Sequence, residues 1–179
     1  SNRSYTSSWM FSMILPYLKI TPKIERPIIP IILKFGDKFI VYQALIDSGA
    51  DYCIFSIEIA KVLGVILETK HKTYFRGVGK GKIQGYWGKV EIRVGGINYS
   101  TKAIFAEISE FGHGILGQKG FFDIFIVKFD LIKKEIEVKP REVFRPPKDD
   151  IPRLAKKYSD KKLRNIAIES HIKKYKISS

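Results

Sequence analysis

The residues of this chain best suited to chemistry lie in the run Ala44-Leu45-Ile46-Asp47-Ser48-Gly49-Ala50-Asp51. Asp47 ends an apolar, β-forming stretch. A carboxylate there must be hydrogen-bonded or share a proton with a neighbour, because a charge left unpartnered at the end of a buried run is costly. A carboxyl held in that way can give and take protons, the work of a general acid or base. A plainer reading fits the same triplet. Asp47 would cap its own backbone in an Asx-type turn, and Gly49 would supply the dihedral freedom the turn needs. The triplet alone leaves both readings open. A second run, His113-Gly114-Ile115-Leu116-Gly117-Gln118, is followed by Gly120-Phe121-Phe122-Asp123. Gly117 stands 70 positions after Asp47 and has no side chain, so it could pass close beneath an acidic loop.

Little else in the chain has chemical potential. Cys53 is the single cysteine, which excludes an intrachain disulfide and a multi-cysteine metal site. His71, His113 and His171 are scattered without ligand spacing, so neither a metal nor another cofactor is expected. One free thiol is consistent with a reducing, cytoplasmic setting. The segment Arg76-Gly77-Val78-Gly79-Lys80-Gly81-Lys82 is glycine-rich. It lacks the Gly-Lys-Ser/Thr ending of a nucleotide loop and has no helix after it, so it reads as a pliant hairpin tip.

The elements that must position Asp47 are short and mostly β. Pro27 to Phe35 and Phe39 to Ile46 are apolar runs joined by Gly36-Asp37-Lys38, a predicted hairpin, with Pro30 suited to an edge or a strand start. Tyr52 to Phe55 is a short strand. Ser56 then caps a helix that Gly64 closes. Thr73 to Gly96 holds seven glycines among β-type residues, which implies flexible hairpins, and Lys89 to Val94 alternates as a half-buried strand. Further strands are expected at Tyr99–Phe105, Ile124–Phe129 and Glu135–Val138. Strands at this spacing indicate an all-β, barrel-like domain from about Ile24 to Pro140. With 179 residues, 45% of them hydrophobic, the chain can bury one substantial core. The apolar segment Trp9 to Leu15 stops at Pro16, too short for the roughly 20 residues that span a bilayer and without a signal-peptide cleavage site.

Taken in order, the two runs resemble the retropepsin-like aspartic proteases. In that family an apolar strand enters Asp-Ser/Thr-Gly-Ala, a glycine-rich flap follows, and a later Ile-Leu-Gly segment crosses behind the catalytic loop. Here these are Asp47-Ser48-Gly49-Ala50, the segment from Tyr74 to Tyr86, and Ile115-Leu116-Gly117. Ile115 to Asp130 is most similar to prokaryotic members, where Leu-Gly-Gln-x-Gly-Phe-Phe-Asp precedes an alternating strand. The resemblance covers about Leu15 to Pro140. It implies a small closed all-β barrel with one or two short helices over residues 15–140. It leaves residues 1–14, an N-terminal extension or tag remnant, and the basic tail 141–179 unexplained; the tail reads as helical from its own residues, with Asp150 as N-cap and Pro152 in the first turn, and Ser159-Asp160 placed to cap a second helix.

The resemblance also implies roles. Hydrolysis without metal or nucleophile needs one carboxylate to deprotonate water and a second, protonated, to donate to the carbonyl oxygen. One Asp-Ser-Gly per chain therefore implies a homodimer, each copy giving its Asp47 at a two-fold axis, with a polypeptide as substrate. Ser48 would hydrogen-bond across that axis, and Ala50, Ile115, Leu116 and Gly117 would support the loop. Gly49 and Asp51 would meet the substrate backbone. Gly77, Val78, Gly79 and Lys80 would close over it as the flap tip. One position departs from the retroviral pattern, which has Arg after Ile-Leu-Gly to pair with the acidic residue of the loop; this chain has Gln118.

Charge leaves an alternative. The formal net charge is +14, and residues 141–179 hold 12 Lys and Arg against 5 Asp and Glu. Such a tail could attract nucleic acid or an anionic membrane. Lys outnumbers Arg 24 to 8, so much of the excess is the residue this chain uses on solvated faces, and packing of the tail through Ile151, Leu154, Ala155, Tyr158, Leu163, Ile166 and Ala167 is favoured. The competing function is a catalytically silent dimerisation or peptide-binding module with a basic tail. An intact Asp-Ser-Gly favours the enzyme. A nucleic-acid-binding barrel would want aromatics interleaved with Arg on strand faces. In sequence only Lys156-Lys157-Tyr158 and Lys173-Lys174-Tyr175-Lys176 have that pattern.

Overall fold

The computed structural model describes residues 12–76 and 81–141. The tail helices expected beyond Asp150 and the flap-tip residues Gly77, Val78, Gly79 and Lys80 lie outside the described residues. In chain order the strands are β1 (Met13–Pro16), β2 (Leu18–Thr21), β3 (Ile24–Arg26), β4 (Ile28–Phe35), β5 (Lys38–Ile46) and β6 (Ile54–Ser56). The helix α1 (Ile57–Leu63) follows, then β7 (Leu67–Arg76), β8 (Lys82–Val94), β9 (Ile97–Ala106), β10 (Gly114–Leu116), β11 (Phe125–Asp130) and β12 (Glu135–Pro140). No described helix is long and apolar enough to cross a membrane.

The local elements follow from local rules. Phe35 pairs with Lys38 across a two-residue turn, so β4 and β5 form a tight hairpin in which Ile29, Ile31, Leu33 and Ala44 are buried. Pro30 sits inside β4, exposed and opposite Gln43. It is tolerated because β4 begins to pair with β8 only at Ile32, leaving the flank at Pro30 without a second strand. Helix α1 is closed at both ends. The Ser56 hydroxyl accepts from Glu58 N, and Gly64, at φ +76°, donates its N–H to Ala60 and Lys61 carbonyls. Its face carrying Ala60 and Leu63 is buried in the core. Ser56→Ala should cost about 1 kcal/mol of unfolding free energy through loss of that cap, read from urea or thermal unfolding.

The main sheet runs in the order β4-β5-β10-β6-β9-β8-β7, and pairing of β4 with β8 closes it into the expected barrel. Phe55, Phe105, Leu33, Ile92 and Leu116 fill its interior with no exposure above 0%. A second sheet, β1-β12-β11, caps the barrel through Phe125, Ile136 and Val138, which belong to the same core. Strand β1 takes in Met13 and Ile14, which the sequence placed in the N-terminal extension.

Two elements differ from the sequence expectation. The strand after the loop is Ile54–Ser56 instead of Tyr52–Phe55; the backbone of Tyr52 makes an isolated bridge to Lys119 and does not join the strand. The alternating strand at Lys89–Val94 extends back to Lys82, and two glycines expected to loosen hairpins are packed within it. A Cβ on Gly85 would overlap Ile104, and one on Gly88 would lie 2.9 Å from Val65. These positions lack a side chain because neighbouring strands occupy the space, not to gain flexibility.

Candidate active site

Asp47 is positioned by two strands that are distant in sequence. Strand β10 lies between β5, to which it is parallel, and β6, to which it is antiparallel. Leu116 sits opposite Ile46, and its carbonyl accepts from Asp47 N at 3.0 Å, so the end of β5 is tied to the end of β10. The carboxylate then organises its own loop. Asp47 Oδ1 accepts from Gly49 N at 2.9 Å, and Asp47 O accepts from Ala50 N at 3.2 Å. This is the Asx turn of the plainer reading. It also orients one carboxylate oxygen on the protein and leaves Oδ2 with no hydrogen-bond partner among the described residues.

The segment after β10 pins the loop from behind. Gln118 N donates to Ala50 O at 2.8 Å and Lys119 N to Asp51 O at 2.9 Å. Gly117 makes this approach possible: a Cβ there would overlap the Tyr52 carbonyl and sit 2.7 Å from Ala50 O. Gln118 Nε2 donates to Ser48 O at 2.9 Å. The position that carries Arg in retroviral members thus braces the loop through a backbone carbonyl and not through Asp51. Asp47 and Ala50 are half-buried, while Ser48, Gly49 and Asp51 are exposed, so the loop presents its first carboxylate at the surface of a rigid frame. Ile115 is half-buried, and Leu116 and Gly117 are fully enclosed beneath the loop. Cys53 is buried in the chain just past the loop, and burial pushes its thiol up to about 12, so it stays protonated and unreactive.

The structure also shows an apolar wall that sequence reasoning missed. Ile54, Ile104, Ala106 and Ile108 form a buried cluster separate from the barrel core. Ile115 and Phe111 pack on it from the β10 side, Phe75 and Ile83 from the β7–β8 hairpin, and Tyr52 and Trp87 complete it. The Tyr52 and Trp87 rings meet edge to face at 4.8 Å. The wall therefore runs from the Asp47 loop to the β7–β8 hairpin. Its sequence signal was present: Ile54-Phe55 and Ile104-Phe105 place apolar residues on both faces of their strands, which requires something apolar on each side.

No family model matches the chain, and no curated protein does. Solved structures similar to it include EIAV protease bound to an inhibitor, at 23% identity and TM-score 0.41, covering 55% of this chain and 86% of that one. A retropepsin-like aspartic protease from Rickettsia conorii is similar at 14% identity and TM-score 0.48, covering 71% and 89%. The retroviral protease-like domain of Ddi1 from Leishmania major is similar at 19% identity and TM-score 0.41, covering 67% and 95%. These three solved structures, two proteases and a protease-like domain, are what the chain is similar to.

Proposed function

We propose that this chain is an aspartic endopeptidase, active as a homodimer in which the Asp47 carboxyls of two copies face each other. The observation that carries this is the Asp47 carboxylate at the mouth of a frame built from β5, β10 and Gln118, with Oδ1 held by Gly49 N and Oδ2 without a hydrogen-bond partner among the described residues. Two carboxyls about 3 Å apart cannot both ionise, so such a pair retains one proton. The ionised member takes a proton from water as that water attacks the peptide carbonyl carbon. The protonated member gives its proton to the carbonyl oxygen, forming a neutral gem-diol. Collapse of the gem-diol returns a proton to the pair and delivers one to the leaving nitrogen. Within this reading Ser48 bridges the two loops, Gly49 and Asp51 receive the substrate backbone, and residues 77–80 close over it. The cytoplasmic setting read from the single thiol is part of the same proposal.

The test is hydrolysis of a denatured protein or an extended peptide. Activity is expected to be greatest below neutral pH, since raising pH removes the shared proton. A peptide carrying a tetrahedral hydroxyl in place of the scissile carbonyl should inhibit it strongly, because it copies the gem-diol. Specific activity should also fall on dilution once protein drops below the dimer dissociation constant. Full specific activity at every concentration would remove the homodimer from the mechanism. A protein that binds peptides and dimerises without any turnover would be the silent module instead.

A further inference from the structure

Strands β7 and β8 form an antiparallel hairpin whose register places Lys72 opposite Tyr86, Tyr74 opposite Gln84, and Arg76 opposite Lys82. Residues directly opposite each other in an antiparallel pair share a face, and alternate residues along a strand share it too. These six side chains therefore lie on one face. The other face carries Phe75 and Ile83, which pack on the apolar wall beside the Asp47 loop. The hairpin is amphipathic, and its outward face is the polar one. Lys72, Arg76 and Lys82 are exposed, and none of the six residues is acidic. Tyr74 is 56% exposed, and the half-buried Tyr86 hydroxyl accepts from Gln84 Nε2 at 2.5 Å.

We infer that this outward face binds single-stranded nucleic acid. Cations alone would have a simpler use, since β7 ends the sheet and charged side chains keep a free edge from pairing with another chain. The exposed Tyr74 ring does not serve that purpose. Tyrosines interleaved with Lys and Arg on a strand face provide both parts of a single-strand site, charge for the phosphates and a flat surface on which bases stack. An acidic peptide would use the charge and ignore the rings. An anionic membrane would want aliphatic side chains among the cations, and this face has none. The strand-face pattern that the sequence showed only in the tail is created here by pairing two strands. The inference is independent of Asp47 and of peptide hydrolysis.

The test is fluorescence anisotropy of labelled 12-nucleotide oligo-U and oligo-dT with the full chain, at low and moderate salt. Binding is expected to weaken with salt, because each phosphate contact releases counterions. Tyr74→Ala should weaken binding by about tenfold without changing the slope of log affinity against log salt, the signature of lost stacking. Lys72→Glu combined with Lys82→Glu should weaken it by at least about tenfold and reduce that slope. All three residues are exposed, and circular dichroism melts should match wild type. Wild-type affinity in both variants would place any binding in the basic tail and overturn the inference. Absence of oligonucleotide binding, equal affinity for a duplex of the same length, or stronger binding to polyglutamate or phosphatidylserine vesicles would overturn it too.

Discussion

Replacing Asp47 by Asn is expected to lower peptide hydrolysis by at least about a thousandfold, since acid and base roles each contribute on the order of a hundredfold or more and both reside in this pair. The fold should survive. The Asn side-chain oxygen can still accept from Gly49 N, the contact that shapes the loop, and Asp47 N keeps its bond to Leu116 O whatever the side chain is. A matched melting temperature together with lost turnover is thus the expected pair of results. Mixed dimers carrying one Asp47→Asn subunit should be nearly inactive as well, because a single carboxyl cannot be base and acid in the same step. Cleavage retained in the homogeneous variant would end the aspartic-protease proposal and return Asp47 to the status of a turn cap.

The second large effect is expected at Gly117. A methyl group there would overlap the Tyr52 carbonyl and crowd Ala50 O, and both are backbone atoms held by other bonds. Ala50 O takes Gln118 N, and the neighbouring Asp51 O takes Lys119 N, so the loop cannot retreat without breaking the contacts that pin it. Gly117→Ala should therefore destabilise by about 3 kcal/mol, at the upper end of what overpacking costs. The melting temperature should fall by roughly 10 °C, and activity should be lost with the loop geometry. Gly81→Ala is the matched control. No described residue lies within 4 Å of its Cβ position, so its stability should stay within about 0.5 kcal/mol of wild type. A Gly117→Ala protein as stable and active as wild type would show that the loop is not braced from behind as described.

Much of this molecule was legible residue by residue. The β4–β5 hairpin follows from two apolar runs around a short turn, and α1 follows from Ser56 and Gly64 at its ends. The Asp47 turn follows from Asp and Gly two positions apart, since its bond from Gly49 N to Oδ1 spans only neighbouring residues. These features depend on backbone preferences and contacts a few residues apart, which a sequence states directly. Only the tertiary structure decided which strand passes behind Asp47 and what each one touches. Leu116 O meets Asp47 N, and Gln118 Nε2 turns to Ser48 O instead of Asp51. Gly85 and Gly88 prove to be close-packing positions, and an apolar wall joins Ile54 and Ile104 to Phe75 and Ile83. The face that Lys72, Tyr74 and Arg76 share with Lys82, Gln84 and Tyr86 exists only in the β7–β8 register. Such contacts form between segments tens of residues apart. A strand's pattern shows that it has a side to bury or a partner to find, whereas which partner it finds is settled by the packing of the whole barrel.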